Sequence, residues 1–388
     1  MIRLLLLLAL VVATPAGAQT VMPAEYRDDA QSIEGLINRV YAYPERLPGG
    51  RFALTPKLRD EAARVSDSRS LLRFAERALM LLADHHAITG SSFGDSYGLV
   101  PSFADLWIVQ AGSEFLVDAV RDGSPAAFAG VRAGDRLIAI DGVPTAEAVA
   151  AFWADLGASP PERDPAFAAR VLAAGRRDRP RRLTVRTGNA APRMLELANL
   201  YTVQSARLPP VTVLQEAGAL RLRINDSLGD DATVAAFDGA MAGARPGQPL
   251  IVDLTATPGG GNSSVARAIL GWFVDRPRFF QMHNLPAEER ETGIARQWVE
   301  QVLPRPGRHH RGPVRVEVGR WTGSMGEGLA IGFDVIGVPV FGTRMAGLRG
   351  AVYDERLPHS GLVLKLPAER LSHVNGTPRE DFVPRQRR

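Results

Sequence analysis

Residues 312–333 read GPVRVEVGRWTGSMGEGLAIGF. Val314, Val316 and Val318 alternate with polar neighbours, as a strand does, and the apolar run after Ser324 reads as a helix. Gly319 to Gly323 is the turn between them. The same order recurs upstream. QPLIVDLTATPGGG (248–261) is a buried apolar strand running into a glycine turn, and SSVARAILGWFV (263–274) is a helix. ALRLRIN (219–225) is a strand, DDATVAAFDGAM (230–241) an amphipathic helix, and VIGVPVFGT (335–343) a further strand. Strands alternating with helices imply an α/β layered domain.

Ser324 therefore sits where a strand hands over to a helix. Backbone N–H groups at a helix start are unpaired and electropositive, and they can hold an oxyanion. A serine there reads either as a nucleophile or as a helix cap. The stretch is not a G-x-S-x-G elbow, because Thr322 stands at the first glycine position. A nucleophilic serine also needs a base to take its proton.

Upstream, AQSIEGLINRVYAY (30–43) and SRSLLRFAERALMLLADHH (68–86) carry apolar residues at helical spacing, with Ser68 or Ser70 as the cap of the second helix. Pro44 to Gly50 breaks the two. From about residue 92 the pattern changes. Phe115, Val117 and Val120 suggest a strand, Pro125 to Gly130 a short helix, and Leu137 to Ile140 a strand closed by the hairpin dipeptide Asp141-Gly142. GSPAAFAGVRAGDRLIAIDG (123–142) resembles a PDZ domain, a fold that binds extended peptides by adding a strand to a sheet edge. RRLTVRTG (181–188) reads as its closing strand, and residues 147–175 as helix with a loop insertion.

Composition narrows the function. The chain has 388 residues, no cysteine and a net charge of +4. Disulfides, thiolate catalysis and Cys-based metal sites are excluded. There is no His-Glu-x-x-His, and neither a metal nor any other cofactor is expected. No nucleic-acid motif accompanies the arginine-rich stretches, so no nucleic-acid partner is expected. Arg3, the apolar run Leu4 to Ala13 and Ala16-Gly17-Ala18 read as a secretory signal, with an uncleaved anchor as the alternative. The mature chain is expected in the periplasm or outside the cell, without stable membrane insertion.

The pieces together resemble the C-terminal-processing and tricorn-core serine peptidases. LIVDLTATPGG stands for that family's D-L-R-x-N-P-G-G, TGSMGEGLA for its S-A-x-E, and VFGTRMAG for its strand and G-x-x-T-x-G, in the family's order. Thr255 and Thr257 depart from its Arg and Asn. The resemblance implies a layered catalytic domain of the ClpP/crotonase kind over 201–388, an inserted PDZ-like domain over 92–200 and an N-terminal helical segment over 19–91, after a signal peptide at 1–18. It implies that Ser324 is the nucleophile, with the N–H groups of Gly259 and Met325 as the oxyanion hole.

One branch of the family uses a lysine base some twenty-five residues after the serine. Here Leu348 or Arg349 occupies that place, and arginine stays protonated. The chain has two lysines, Lys57 and Lys365, neither at a matching position. The tricorn-like branch uses a histidine and a distant glutamate. Its D-G-H-T element falls at LADHHAITG, giving His86 as base, with His85 where that branch has a relay serine. Its C-terminal element falls at NGTPREDFVPRQ, giving Glu380 as the carboxylate and Asp381 as the fallback. Asp84-His85-His86 also reads as a helix C-terminus. A rival order, Ser324, Asp354, His373, would need more chain after the serine than is present. The implied function is an exported serine endopeptidase acting on peptide or unfolded protein, with the substrate's C-terminus as one point of engagement. A turnover-dead peptide-binding scaffold is the alternative.

Overall fold

The computed structural model describes residues 21–159, 163–203, 208–225 and 228–386. The signal-like segment 1–18 lies outside them. The C-terminal half is built on a five-stranded sheet in the spatial order Val340–Gly342, Val314–Val318, Leu250–Asp253, Ala219–Ile224, Val211–Glu216. The first four run parallel, and the last returns antiparallel as a hairpin. Leu250–Asp253 is buried at every residue, as a central parallel strand covered on both faces should be. The helices Asp231–Ala242, Ser263–Leu270 and Met325–Val335 connect the strands. The last is buried from Met325 to Phe333, which fits its apolar, glycine-rich sequence.

A second sheet crosses the sequence. Val363–Ser372 pairs antiparallel with Ala351–Arg356, with Arg278–Asn284 and with the short N-terminal strand Ile88–Thr89. Gln297–Val302 extends this sheet beyond Arg278–Asn284. The N-terminal helices are Pro23–Val40, Pro56–Ala63 and Ser68–Met80. The cap of the third is Asp67 rather than Ser68 or Ser70: its carboxylate accepts from Ser70 N at 2.7 Å. A carboxylate also complements the positive helix start, which a serine hydroxyl does less well.

Leu106–Ala111, Glu114–Val120, Arg136–Ile140, Arg181–Arg186 and Arg193–Leu197 form the PDZ-like sheet, with Leu106–Ala111 at one edge. Asp141 and Gly142 both take positive φ between the paired strands Arg136–Ile140 and Val143–Pro144. That is the primed turn expected of Asp-Gly. The insertion folds as the helices Thr145–Asp155 and Pro165–Ala174.

The N-terminal helices do not stand alone. One apolar core joins them to the PDZ-like unit and to Leu357, Leu364 and Leu366 of the second sheet. A separate core lies under the parallel sheet. A segment that ends at His86 is thereby fixed to the C-terminal half.

Candidate active site

Leu250–Asp253 and Val314–Val318 are parallel neighbours, with Asp253 opposite Glu317. Their following loops leave the same edge of the sheet and meet there, the usual place for a site in such sheets. Side chain and main chain stitch them together. Thr322 Oγ1 donates to Leu254 O (2.7 Å), and Gly323 N donates to Thr257 O (2.9 Å). The threonine that breaks the G-x-S-x-G pattern thus ties the two turns. Gly323 must be glycine, because a Cβ there would lie 2.3 Å from Pro258 O. Thr255, the departure from the family's arginine, turns back on Asp253 through its N–H and its hydroxyl (3.0 and 2.6 Å).

Ser324 takes φ 50° and ψ −116°, a conformation a non-glycine residue adopts only under constraint. Such strain costs roughly 1–3 kcal/mol and collects at functional sites. The constraint comes from Glu327, which is fully buried. Its carboxylate accepts from Ser324 N (2.8 Å), Gly347 N (2.8 Å) and Leu348 N (3.1 Å). Burial pushes this carboxyl up to about 7, while nearby Arg379 and the three donors pull the other way. Met325 is the first helical residue, so its N–H has no intrahelical acceptor. Gly259 lies against Ser324: a Cβ on Gly259 would come within 3.2 Å of Ser324 Cβ. Both implied oxyanion donors are therefore beside the serine.

His86 belongs to the turn between helix Ser68–Met80 and strand Ile88–Thr89. Asp84, itself buried, shapes that turn by accepting from His86 N (3.0 Å) and Tyr41 Oη (2.7 Å). Ser324 Oγ lies 3.1 Å from His86 Nε2. Nδ1 lies 2.7 Å from the carbonyl oxygen of Arg349. A carbonyl only accepts, so Nδ1 carries the proton and the Nε2 lone pair faces the serine. Burial, then the Arg379 cation, lowers His86 to about 4. The imidazole is neutral at ordinary pH, as a general base must be. If His86 takes the serine proton, the acid limb of kcat/KM should fall near pH 4, because activity disappears only as the base protonates. A limb at the ordinary histidine value of about 6.5 would show that another group is titrating.

The implied carboxylate does not reach the base directly. Glu380 makes no hydrogen bond to His86, whose Nδ1 is taken by the Arg349 carbonyl. The Oε2 atom of Glu380 is buried without a hydrogen-bond partner. Asp381 is exposed. The physical reason is that loop 347–350 lies between the C-terminal turn and the imidazole: Arg379, next to Glu380, donates to Leu348 O and Gly350 O. His85 is no relay either. Its Nδ1 donates to Leu99 O (2.6 Å) and its Nε2 accepts from Arg170 Nε (2.8 Å), so it faces the PDZ-like unit.

The other candidates are engaged elsewhere. Lys57 pairs with Asp155 and Lys365 with Asp354. His283 contacts Glu369 and Glu300, and His373 contacts Asp334. Among the described residues no His, Asp and Glu group is arranged to hold a metal ion. Glu327 carried a sequence signal: Ser-x-x-Glu before an apolar run is a helix-start pattern. The Arg349 carbonyl carried none, because main-chain atoms are the same at every residue.

Residues 116–187 match the PDZ domain family. No curated protein matches the chain in sequence. Among solved structures, mature CPAF complexed with lactacystin is 14% identical, with a TM-score of 0.57 over 94% of this chain and 93% of that one. The photosystem II D1 C-terminal processing protease is 17% identical, with a TM-score of 0.57 over 93% of each chain. The chain shares the fold of these proteases. The likeness spans nearly the whole of both chains, so the helical segment, the PDZ domain and the layered α/β unit come as one architecture. At this identity the fold alone is carried over, and the chemistry rests on the geometry around Ser324. No helix among the described residues is long and apolar enough to cross a membrane.

Proposed function

We propose that the chain is an exported serine endopeptidase of peptide or unfolded protein substrates. The observation that carries this reading is the Ser324–His86 contact of 3.1 Å at a strained strand-to-helix turn. His86 Nε2 takes the hydroxyl proton as Oγ attacks the scissile carbonyl carbon. The N–H groups of Gly259 and Met325 receive the oxyanion. The imidazolium then protonates the leaving amine, the C–N bond breaks and an acyl-enzyme remains. Water, deprotonated by His86, releases it.

The PDZ domain is the proposed site of substrate capture. An extended peptide would add to its edge strand Leu106–Ala111. There the Ile108 carbonyl accepts from Arg170 Nη1 (3.0 Å), a bond the incoming strand would replace. The same strand adjoins the site: Trp107 packs on Ala346 and Leu348, and Ser102 just before it donates to Pro258 O (2.5 Å). Export follows from the N-terminal signal pattern, and a mature protein beginning after Ala18 would support it.

The test is labelling with a serine-directed fluorophosphonate. Wild type should be labelled and Ser324→Ala should not. Equal labelling of the two would sink the catalytic reading and leave the peptide-binding scaffold.

A further inference from the structure

Loop 347–350 is held by its main chain from two sides. Glu327 takes the N–H groups of Gly347 and Leu348. A single nitrogen, Arg379 Nη2, donates to the carbonyls of Leu348 and Gly350, both at 2.7 Å. The carbonyl between those two, that of Arg349, is the one that accepts from His86 Nδ1. Gly350 lets the loop lie this deep: it has φ +56°, and a Cβ would meet Glu369 O at 2.2 Å.

Arg379 is 2% exposed. Its Nε is buried without a hydrogen-bond partner, and among the described residues it forms no salt bridge. Its hydrogen bonds go to carbonyls alone, and its charge lies near the buried Glu327 carboxylate. An apolar side chain there would leave the Leu348 and Gly350 carbonyls without this donor, so the guanidinium fixes the path of the loop.

We propose that Arg379 is the positioning residue of the His86 base: it clamps the carbonyls on either side of Arg349, so that the Arg349 carbonyl orients the imidazole in place of a carboxylate. This rests on the peptidase reading above. A neutral carbonyl fixes the tautomer without favouring the imidazolium, and the Arg379 charge opposes it. The charged and titratable groups that face His86 are Asp84 on its own turn, Arg379 on the C-terminal segment and Ser324 on the nucleophile helix. Of these Asp84 favours and Arg379 disfavours protonation.

The experiment uses the full chain, with an activated peptide ester read over about pH 3.5 to 8. Arg379→Met should lower kcat by about 100-fold with KM changed less than about twofold. It should also move the acid limb upward, because a cation that opposes protonation is gone. Added guanidinium should partly restore Arg379→Ala. An unchanged kcat, or a loss with an unmoved limb and no rescue, overturns the proposal. Should these variants fail to fold, nitrogen NMR of histidine-labelled wild type decides: His86 protonated at Nδ1 supports the proposal, and protonation at Nε2 overturns it. Failure of the peptidase reading shows separately, as absent fluorophosphonate labelling.

Discussion

His86→Ala is expected to lower kcat for peptide hydrolysis by about 10⁴- to 10⁶-fold, with KM nearly unchanged. The serine hydroxyl has one hydrogen-bonded base, at 3.1 Å, and both lysines are paired elsewhere, Lys57 with Asp155 and Lys365 with Asp354. The proposed oxyanion donors are main-chain groups of Gly259 and Met325, which the substitution leaves in place. Residual turnover should come from them and from substrate binding. The loss should be close to that of Ser324→Ala, and the double variant should be little worse than either, because the two groups act as one unit. Steady-state kinetics on the three variants checks this. Additive losses would mean that Ser324 and His86 act separately.

Glu327→Ala is expected to remove both activity and part of the fold's stability. Three N–H groups, from Ser324, Gly347 and Leu348, end on this one carboxylate. Each buried donor left without an acceptor costs about 1–3 kcal/mol. Part of that is offset, because the variant no longer buries a carboxylate. A net loss of about 2–4 kcal/mol is expected, read as a lower denaturation midpoint. Activity falls for a different reason. Without the bond to Ser324 N, the strained φ of 50° loses its side-chain support, and the hydroxyl turns away from His86. Glu327→Gln should be milder. Its amide oxygen can serve Ser324 and Leu348, while its NH₂ faces Gly347 N–H without an acceptor. A Glu327→Ala protein as active and as stable as wild type would remove Glu327 from the account.

Much of the layering was legible in residues. Alternation in 314–318 and the apolar run 250–252 gave two of the strands, the second because a strand covered on both faces reads as a near-continuous apolar run. Asp141-Gly142 gave its turn, because few other pairs accept positive φ twice. Ser324 was singled out by its place at a strand-to-helix turn, and His86, Gly259 and Met325 by the family resemblance. The Asp67 cap was missed because two serines within three positions offered the same chemistry.

The sequence alone settled which groups could do chemistry: no thiol, two lysines, a serine at a strand-to-helix turn and a histidine pair far upstream. It could not settle which group stands behind the base. Residue pattern pointed to the carboxylate of Glu380. The folded chain instead presents the carbonyl of Arg349, between two carbonyls clamped by Arg379. The reason is physical. Side chains differ and leave a pattern in sequence, whereas a carbonyl belongs to every residue and becomes a site only when tertiary packing buries it and aims it.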